Sequence, residues 1–342
     1  MSWLGNVAAR VGASVGASVG ASADASVSGP VSAATGRAAL SRRLRKLERV
    51  FEIERMRAQA PGAREVVEYY EQSAHAYRRF HSTEGAVHMA LNPDGRFDAA
   101  GFYGQLLRLE QAWAARPPAA VLELAFGQGF NLAHLASKLP QAAFAGIDLT
   151  PTHCTLAQAR LREAGLGNVQ LVRGDFHALP FAAASFDELF CIEAFCHATD
   201  TPRALGEAAR VLRRGGHFTL FDGYLPRPPS AMEIDEALAV DLVAKSLAVP
   251  GLQVLGELLD AARAAGFEVT AVADLDRQVL PNLARLEKLT GAIIRVPWLG
   301  RRALAKRPAA RSANVVAGYL MHSAVSLGLI GYREIVLTKV SG

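Results

Sequence analysis

The chain has 342 residues, a formal net charge of +5 and 51% hydrophobic residues. That is enough apolar mass for one large core domain with appendages, and the mild basic excess, gathered mostly near the N-terminus, gives no reason to expect a nucleic-acid partner. The three cysteines, Cys154, Cys191 and Cys196, form no C-x-x-C pair, so no metal site is expected and a reducing, cytoplasmic setting is the natural reading; no apolar run is long enough for a transmembrane helix.

Residues 2–36 repeat a Val-Gly-Ala-Ser pattern and carry a single acid, Asp24. Such a stretch cannot offset its ordering entropy by burial and reads as disordered. Its lack of acids also fits an organelle transit peptide, which is kept as the lesser reading. Over residues 37–59, Arg42, Arg43, Arg45, Lys46 and Arg49 alternate with Leu40, Leu44, Leu47, Val50, Phe51 and Ile53, an amphipathic basic helix. Docking on the core with a solvated basic face is the favoured reading, and peripheral contact with an acidic membrane the second. After Pro61-Gly62, residues 63–81 read as helix, Asn92-Pro-Asp-Gly95 as a turn, and Asp98 to Ala115 as another helix.

Strands and helices then alternate. Strands are expected at Ala119–Ala125, Ala142–Leu149, Val169–Gly174, Phe186–Ile192 and His217–Phe221, with helices at Asn131–Lys138, Thr152–Ala164 and Pro202–Leu212. This implies a parallel sheet covered on both faces. Helices at Glu233–Ser246 and Leu255–Ala265 precede a strand at Phe267–Asp274. Helical sequence over 278–328 separates it from a last strand at Tyr332–Val340. The expected division is therefore 1–60 (disordered segment and basic helix), 61–97 (helical arm), 98–275 (core), 276–331 (helical insertion) and 332–342 (final strand).

The first strand ends in Gly127-Gln128-Gly129 and opens a helix at Asn131. Such a turn lets the backbone approach a ligand beneath free helix N–H groups. A dinucleotide fingerprint would need a third small residue, but that position is Leu132, which argues against a nicotinamide dehydrogenase. The second strand ends in Asp148, placed to accept from ribose hydroxyls. The third ends in Gly174-Asp175-Phe176, where a carboxylate can accept from an exocyclic adenine amine.

Together with Ser185-Phe-Asp187 and the Val211–Gly216 turn, these residues have the order and spacing of the class I S-adenosylmethionine-dependent methyltransferases, which the chain resembles over about residues 98–225. The resemblance implies a Rossmann-like, seven-stranded α/β sheet with a reversed final strand, an N-terminal helical arm and a C-terminal helical lid. It implies S-adenosylmethionine as cofactor, held by Glu123, Gly127, Gln128, Gly129, Asn131, Leu149, Gly174, Phe176 and Ile192, with Asp148 on the ribose and Asp175 on the adenine. Phe126 stands where the family has a small residue and is expected to narrow the pocket. A narrower resemblance lies in Cys191-Ile-Glu193-Ala-Phe-Cys196-His197-Ala, which is similar to the corresponding stretch of sterol 24-C-methyltransferases and prenyl C-methyltransferases. It implies C-methylation of an alkene in an isoprenoid or related lipophilic molecule.

In that chemistry Glu193 and His197 are the candidate bases. Tyr69, Tyr70, Tyr77, Phe195 and Tyr224 are candidates for an aromatic wall, with His88 as a further substrate contact. Cys196 reads as a small buried residue. Arg78, Arg79, Arg301, Arg302 and Arg311 suggest a diphosphate site, but a solvated face is favoured. The rival readings are O- or N-methylation of a small secondary metabolite and a non-catalytic module that keeps the cofactor site. The need for Mg²⁺ and the oligomeric state stay open.

Overall fold

The computed structural model describes residues 30–305 and 309–340. Most of the expected disordered stretch lies outside the described residues, as do Lys306 and Arg307 of the C-terminal basic group. The first helix, α1 (Pro30–Glu48), begins inside the expected disordered stretch of residues 2–36 and is followed by the short α2 (Ile53–Arg57). Leu40, Leu44 and Leu47 are buried, so the apolar stripe of the basic helix is spent on the protein interior. Helix α3 (Ala63–Ala76) widens into a π-turn at Tyr77–His81. A strap without regular structure then runs to Asp98, whose carboxylate caps a 3₁₀ turn (Ala99–Tyr103) by accepting from Ala100 N at 2.9 Å. Helix α4 (Gly104–Trp113) completes the N-terminal part.

The core follows as β1 (Ala120–Leu124), α5 (Phe130–Lys138), β2 (Ala143–Asp148), α6 (Pro151–Glu163), β3 (Val169–Arg173), β4 (Phe186–Ile192), α7 (Thr201–Val211) and β5 (Leu212–Tyr224). Then come α8 (Ile234–Ser246), α9 (Leu255–Ala264), β6 (Phe267–Asp274), α10 (Asp276–Ile294), α11 (Pro297–Leu304), α12 (Ala309–Ser326) and β7 (Gly331–Lys339). The sheet order is β3-β2-β1-β4-β5-β7-β6. Pairs among β1 to β5 are parallel, and β7 runs antiparallel to both β5 and β6. This is the expected class I methyltransferase sheet, reversed last strand included. Strand β5 is longer than its sequence suggests, because Gly215 takes φ 75° and the register shifts between the pairs Phe186–Leu212 and Glu188–His217.

The strand order reverses direction between β1 and β4, and in open parallel sheets ligands bind outside the carboxyl ends of the strands at that switch point. The glycine turn sits there. Gly129 precedes α5 with φ 73°, and a Cβ on it would stand 2.8 Å from Ala157 Cβ and 3.0 Å from Ala157 Cα on α6. Both the left-handed backbone and the close helix contact therefore demand glycine. Phe126 does not narrow a pocket, contrary to expectation. It is 2% exposed and lies over Gly146 of β2, where a Cβ would stand 2.7 Å from its ring. The glycine on the neighbouring strand makes room for the large side chain inside the core.

These contacts predict opposite signs for two glycine substitutions. Gly129→Ala should destabilise the fold by about 2–4 kcal/mol through strain and overpacking. Gly206→Ala, on the exposed face of α7 with open space around it, should stabilise by about 0.5–1 kcal/mol. Urea unfolding of the two variants checks both.

Candidate active site

A cleft at the carboxyl ends of β1 to β4 encloses about 750 Å³ of space with its open mouth included. Its wall brings together, from the sequence-predicted set, Tyr70, Gly127, Asp148, Leu149, Gly174, Asp175, Phe176, Ile192, Glu193 and His197.

Asp148 is 5% exposed. Its Oδ2 accepts from Gly127 N at 2.8 Å and its Oδ1 from Thr150 N at 2.8 Å. Each oxygen keeps a lone pair for a further donor. The carboxylate is thus fixed in the geometry that a pair of vicinal hydroxyls requires. Asp175 sits at the end of β3 with its side chain 44% exposed, and its Oδ1 accepts from the backbone N of His177 at 2.8 Å. The imidazole of His177 lies 2.6 Å from the same oxygen. Phe176 floors this end of the cavity and stacks on Phe195 at 5.9 Å.

The opposite end is lined by Glu193, Tyr70 and His197. Ala125 and Glu193, one just past β1 and the other just past β4, take φ 57° and 50°. Such left-handed non-glycine residues carry strain and cluster at functional sites. Glu193 N donates to Phe221 O at 2.7 Å, which holds the strained turn. Its Oε1 accepts from Met89 N at 2.6 Å and from the Tyr332 hydroxyl at 2.8 Å. Burial pushes its carboxyl up to about 8, against the lowering effect of those two donors.

His197 Nδ1 lies 3.2 Å from Ala248 O and its Nε2 3.1 Å from the Tyr70 hydroxyl. Only a protonated Nδ1 can donate to a carbonyl, so Nε2 accepts from Tyr70 in the neutral ring. Burial pulls the imidazole down to about 4. Both nitrogens of His197 are therefore engaged, and the ring serves to hold the Tyr70 hydroxyl.

The other predicted residues lie behind this wall. Asn131 donates to Glu123 Oε1 at 2.7 Å, and His88 Nε2 lies 3.1 Å from Asn131 Oδ1. The second Glu123 oxygen is buried without a partner, and burial raises this carboxyl to about 8. Gln128 is buried, and its carbonyl accepts from Arg160 Nε at 3.0 Å. Tyr69 bonds to the Tyr77 hydroxyl at 2.9 Å and to Asn314 of α12, and so ties the arm to the C-terminal helices. Phe195 is fully buried, and Tyr224 is buried with its hydroxyl unpartnered. Burial and Asp222 push the Cys196 thiol well up, which keeps it protonated. Arg78, Arg79, Arg301 and Arg302 are exposed and stand off the cavity wall. No cluster of three metal-ligating side chains occurs among the described residues.

Of the wall residues that the sequence reading did not single out, two are histidines, His153 and His177, and His153 is the one without a partner. His153, in the first turn of α6, is 3% exposed, and both of its ring nitrogens are buried without a hydrogen-bond partner. Its Nδ1 is 3.4 Å from Asp148 Oδ2 and its ring 5.1 Å from that of Tyr70. The signal lay in its position five residues beyond Asp148, at a helix start facing the same crevice. A buried imidazole with two orphaned nitrogens marks a wall that a polar ligand would complete.

Residues 121–216 match the family described as "Methyltransferase domain". The chain is 30% identical over 169 residues to 24-methylenesterol C-methyltransferase 2 of Oryza sativa subsp. japonica, covering 49% of this chain and 46% of that protein. It is 40% identical over 102 residues to the phthiotriol/phenolphthiotriol dimycocerosates methyltransferase of Mycobacterium leprae, covering 30% and 37%. The matches span less than half the length of these relatives. In fold, the mycolic acid cyclopropane synthase CmaA1 is similar with a TM-score of 0.68 over 82% of this chain and 99% of that one, at 15% identity. The chain thus carries a methyltransferase domain in the class I S-adenosylmethionine methyltransferase fold.

The Tyr70–His197 contact gives a direct check. Tyr70→Phe removes a donor to the neutral ring, so the His197 pKa should rise from about 4, as followed by NMR titration of the imidazole signals.

Proposed function

We propose that the protein transfers a methyl group from S-adenosylmethionine to an alkene carbon of an isoprenoid-like, lipophilic small molecule. The observation that carries the reading is the shared cavity. It has fixed carboxylates at the ends of β2 and β3 and, across from them, the half-buried carboxylate of Glu193 beside Tyr70. The residues fit the cofactor. Asp148 offers two free lone pairs to ribose hydroxyls, Asp175 an acceptor to the adenine amine, and Gly127 a close backbone approach. His153 supplies unsatisfied nitrogens beside the ribose position. The cofactor brings a methyl group already activated on a sulfonium, so the protein's task is alignment and charge control.

Methylation of an alkene leaves positive charge on the acceptor, which an aromatic face stabilises and a neighbouring base discharges by taking a proton. Tyr70 is the aromatic face on the cavity wall. Glu193 is the base, because it lines the cavity and desolvation makes its carboxyl more basic. Its Oε1 bonds to Met89 and Tyr332 orient the group. The engagement of both His197 nitrogens disfavours His197 as a base for deprotonating a hydroxyl, as O-methylation would need. The names of the sterol C-methyltransferase relatives support carbon as the acceptor.

Mass spectrometry of products from labelled methyl donor, with isoprenoids, quinones and phenols as acceptors, tests the reading: the label should enter at carbon, and a methyl ether or amine would overturn it. Glu193→Gln keeps the acceptor oxygen for Met89 and Tyr332, so donor binding should persist while turnover falls by about 10²–10⁴. With Glu193 as base, kcat/KM should rise with pH through about 8, since only the ionised carboxyl accepts a proton. The sulfonium charge should shift that limb to lower pH in the kcat profile.

A further inference from the structure

The basic helix near the N-terminus has buried its leucines, yet its cations remain unused. Arg42, Arg45, Lys46 and Arg49 share one exposed face of α1 and the turn after it, at the spacing i, i+3, i+4, i+7. Among the described residues none of them makes an ion pair. Helix α11 abuts the turn in which this face ends. Arg301 Nε donates to Arg49 O at 2.7 Å, and Gly300 sits where a Cβ would be 3.5 Å from Val50 Cγ1. Arg301 and Arg302 are exposed as well, and they too have no acidic partner among the described residues. The nearby acids in sequence are Glu48 and Glu52, and Glu52 already faces Arg55 at 3.6 Å.

Two large apolar side chains stand out from the same short helix: Trp298 is 66% exposed and Leu299 47%. Exposed tryptophan and leucine inside a cationic field cost solvation in water and gain it at a lipid interface. There an indole sits at headgroup depth while arginines meet anionic headgroups. A nucleic acid would use the cations but leave Leu299 without a partner.

We propose that α11, with the cationic face of α1, is a docking surface for an anionic lipid bilayer. Trp298 and Leu299 enter the interface, and the arginines contact headgroup phosphates. The contact is peripheral, because no helix among the described residues is long and apolar enough to cross a membrane. Helix α11 leads into α12, and α12 packs on α3, which carries Tyr70. Docking would therefore bring the helical lid to the bilayer. The inference does not depend on the identity of the methyl acceptor.

The test is co-sedimentation of the full chain with phosphatidylcholine vesicles, with and without phosphatidylglycerol. Binding is expected only with the anionic lipid, released by high salt, and accompanied by a blue shift of tryptophan emission. Each cation contributes about fivefold to the partition, so Arg301→Glu with Arg302→Glu should lower it by at least about twentyfold. Trp298→Ala should abolish most of the blue shift at an unchanged melting temperature. Neither change touches the cavity, so turnover of a water-soluble acceptor should be preserved. Equal binding to neutral vesicles, no binding at low salt, or binding of a DNA duplex in place of vesicles would overturn the proposal. Retention by both variants would do the same. The salt dependence of the unmodified chain keeps the test decisive if a variant misfolds.

Discussion

The structure depends on the grip of one carboxylate. Asp148, at the carboxyl end of β2, accepts from the backbone of the glycine turn and from the backbone that starts α6. Those bonds tie β1, β2 and two helix starts into one rigid corner. Desolvation of a carboxylate is costly unless its lone pairs are met. Here two are met by backbone N–H groups, and the remaining ones face the cavity. Gly129, fitted against Ala157, keeps the two helices close enough for the corner to form.

Around that corner the chain accepts several unfavourable features. Ala125 and Glu193 are held in left-handed conformations at the ends of adjacent strands. The buried Glu123 and the half-buried Glu193 both have carboxyls pushed up to about 8 by desolvation. His153 has neither nitrogen satisfied. Features of this kind lower stability and collect where a ligand is to be bound. The strap after α3 covers them. Met89 N reaches Glu193, Ala90 N reaches Asn282 Oδ1 at 3.0 Å on α10, and Arg160 clamps the glycine turn from outside. The cavity is therefore closed by contacts from parts of the chain far apart in sequence.

This explains what could be read from the sequence. The β/α alternation, the strand order and the acids at strand ends follow local patterns, and strands such as Phe186–Ile192 and Phe267–Asp274 were legible to the residue. Glu193 was legible because it directly follows a strand at the switch point. The aromatic wall was legible only in part. Tyr69 and Tyr77 have the same local pattern as Tyr70, and only tertiary packing decides that Tyr70 faces the cavity while the others bond to each other. Phe126 looked like an obstruction because its partner, Gly146, lies on another strand. His153 carried a positional signal, five residues beyond Asp148 at a helix start, but nothing local shows that its ring nitrogens have no partner. The leucines of the amphipathic stretch at 37–59 are buried, but the helix that carries the exposed Trp298 and meets Arg49 lies some 250 residues later, and sequence proximity gave no hint of it.

Calorimetric titration with S-adenosylhomocysteine, comparing the unmodified chain with Asp148→Asn, tests the central role of the corner most directly. The side-chain amide cannot accept from both Gly127 and Thr150 and offers fewer acceptors to ribose. The unmodified chain should bind, and the variant should lose at least about thirtyfold in affinity, or ~2 kcal/mol. Binding of equal strength by the variant, or no binding by the unmodified chain, would contradict the account.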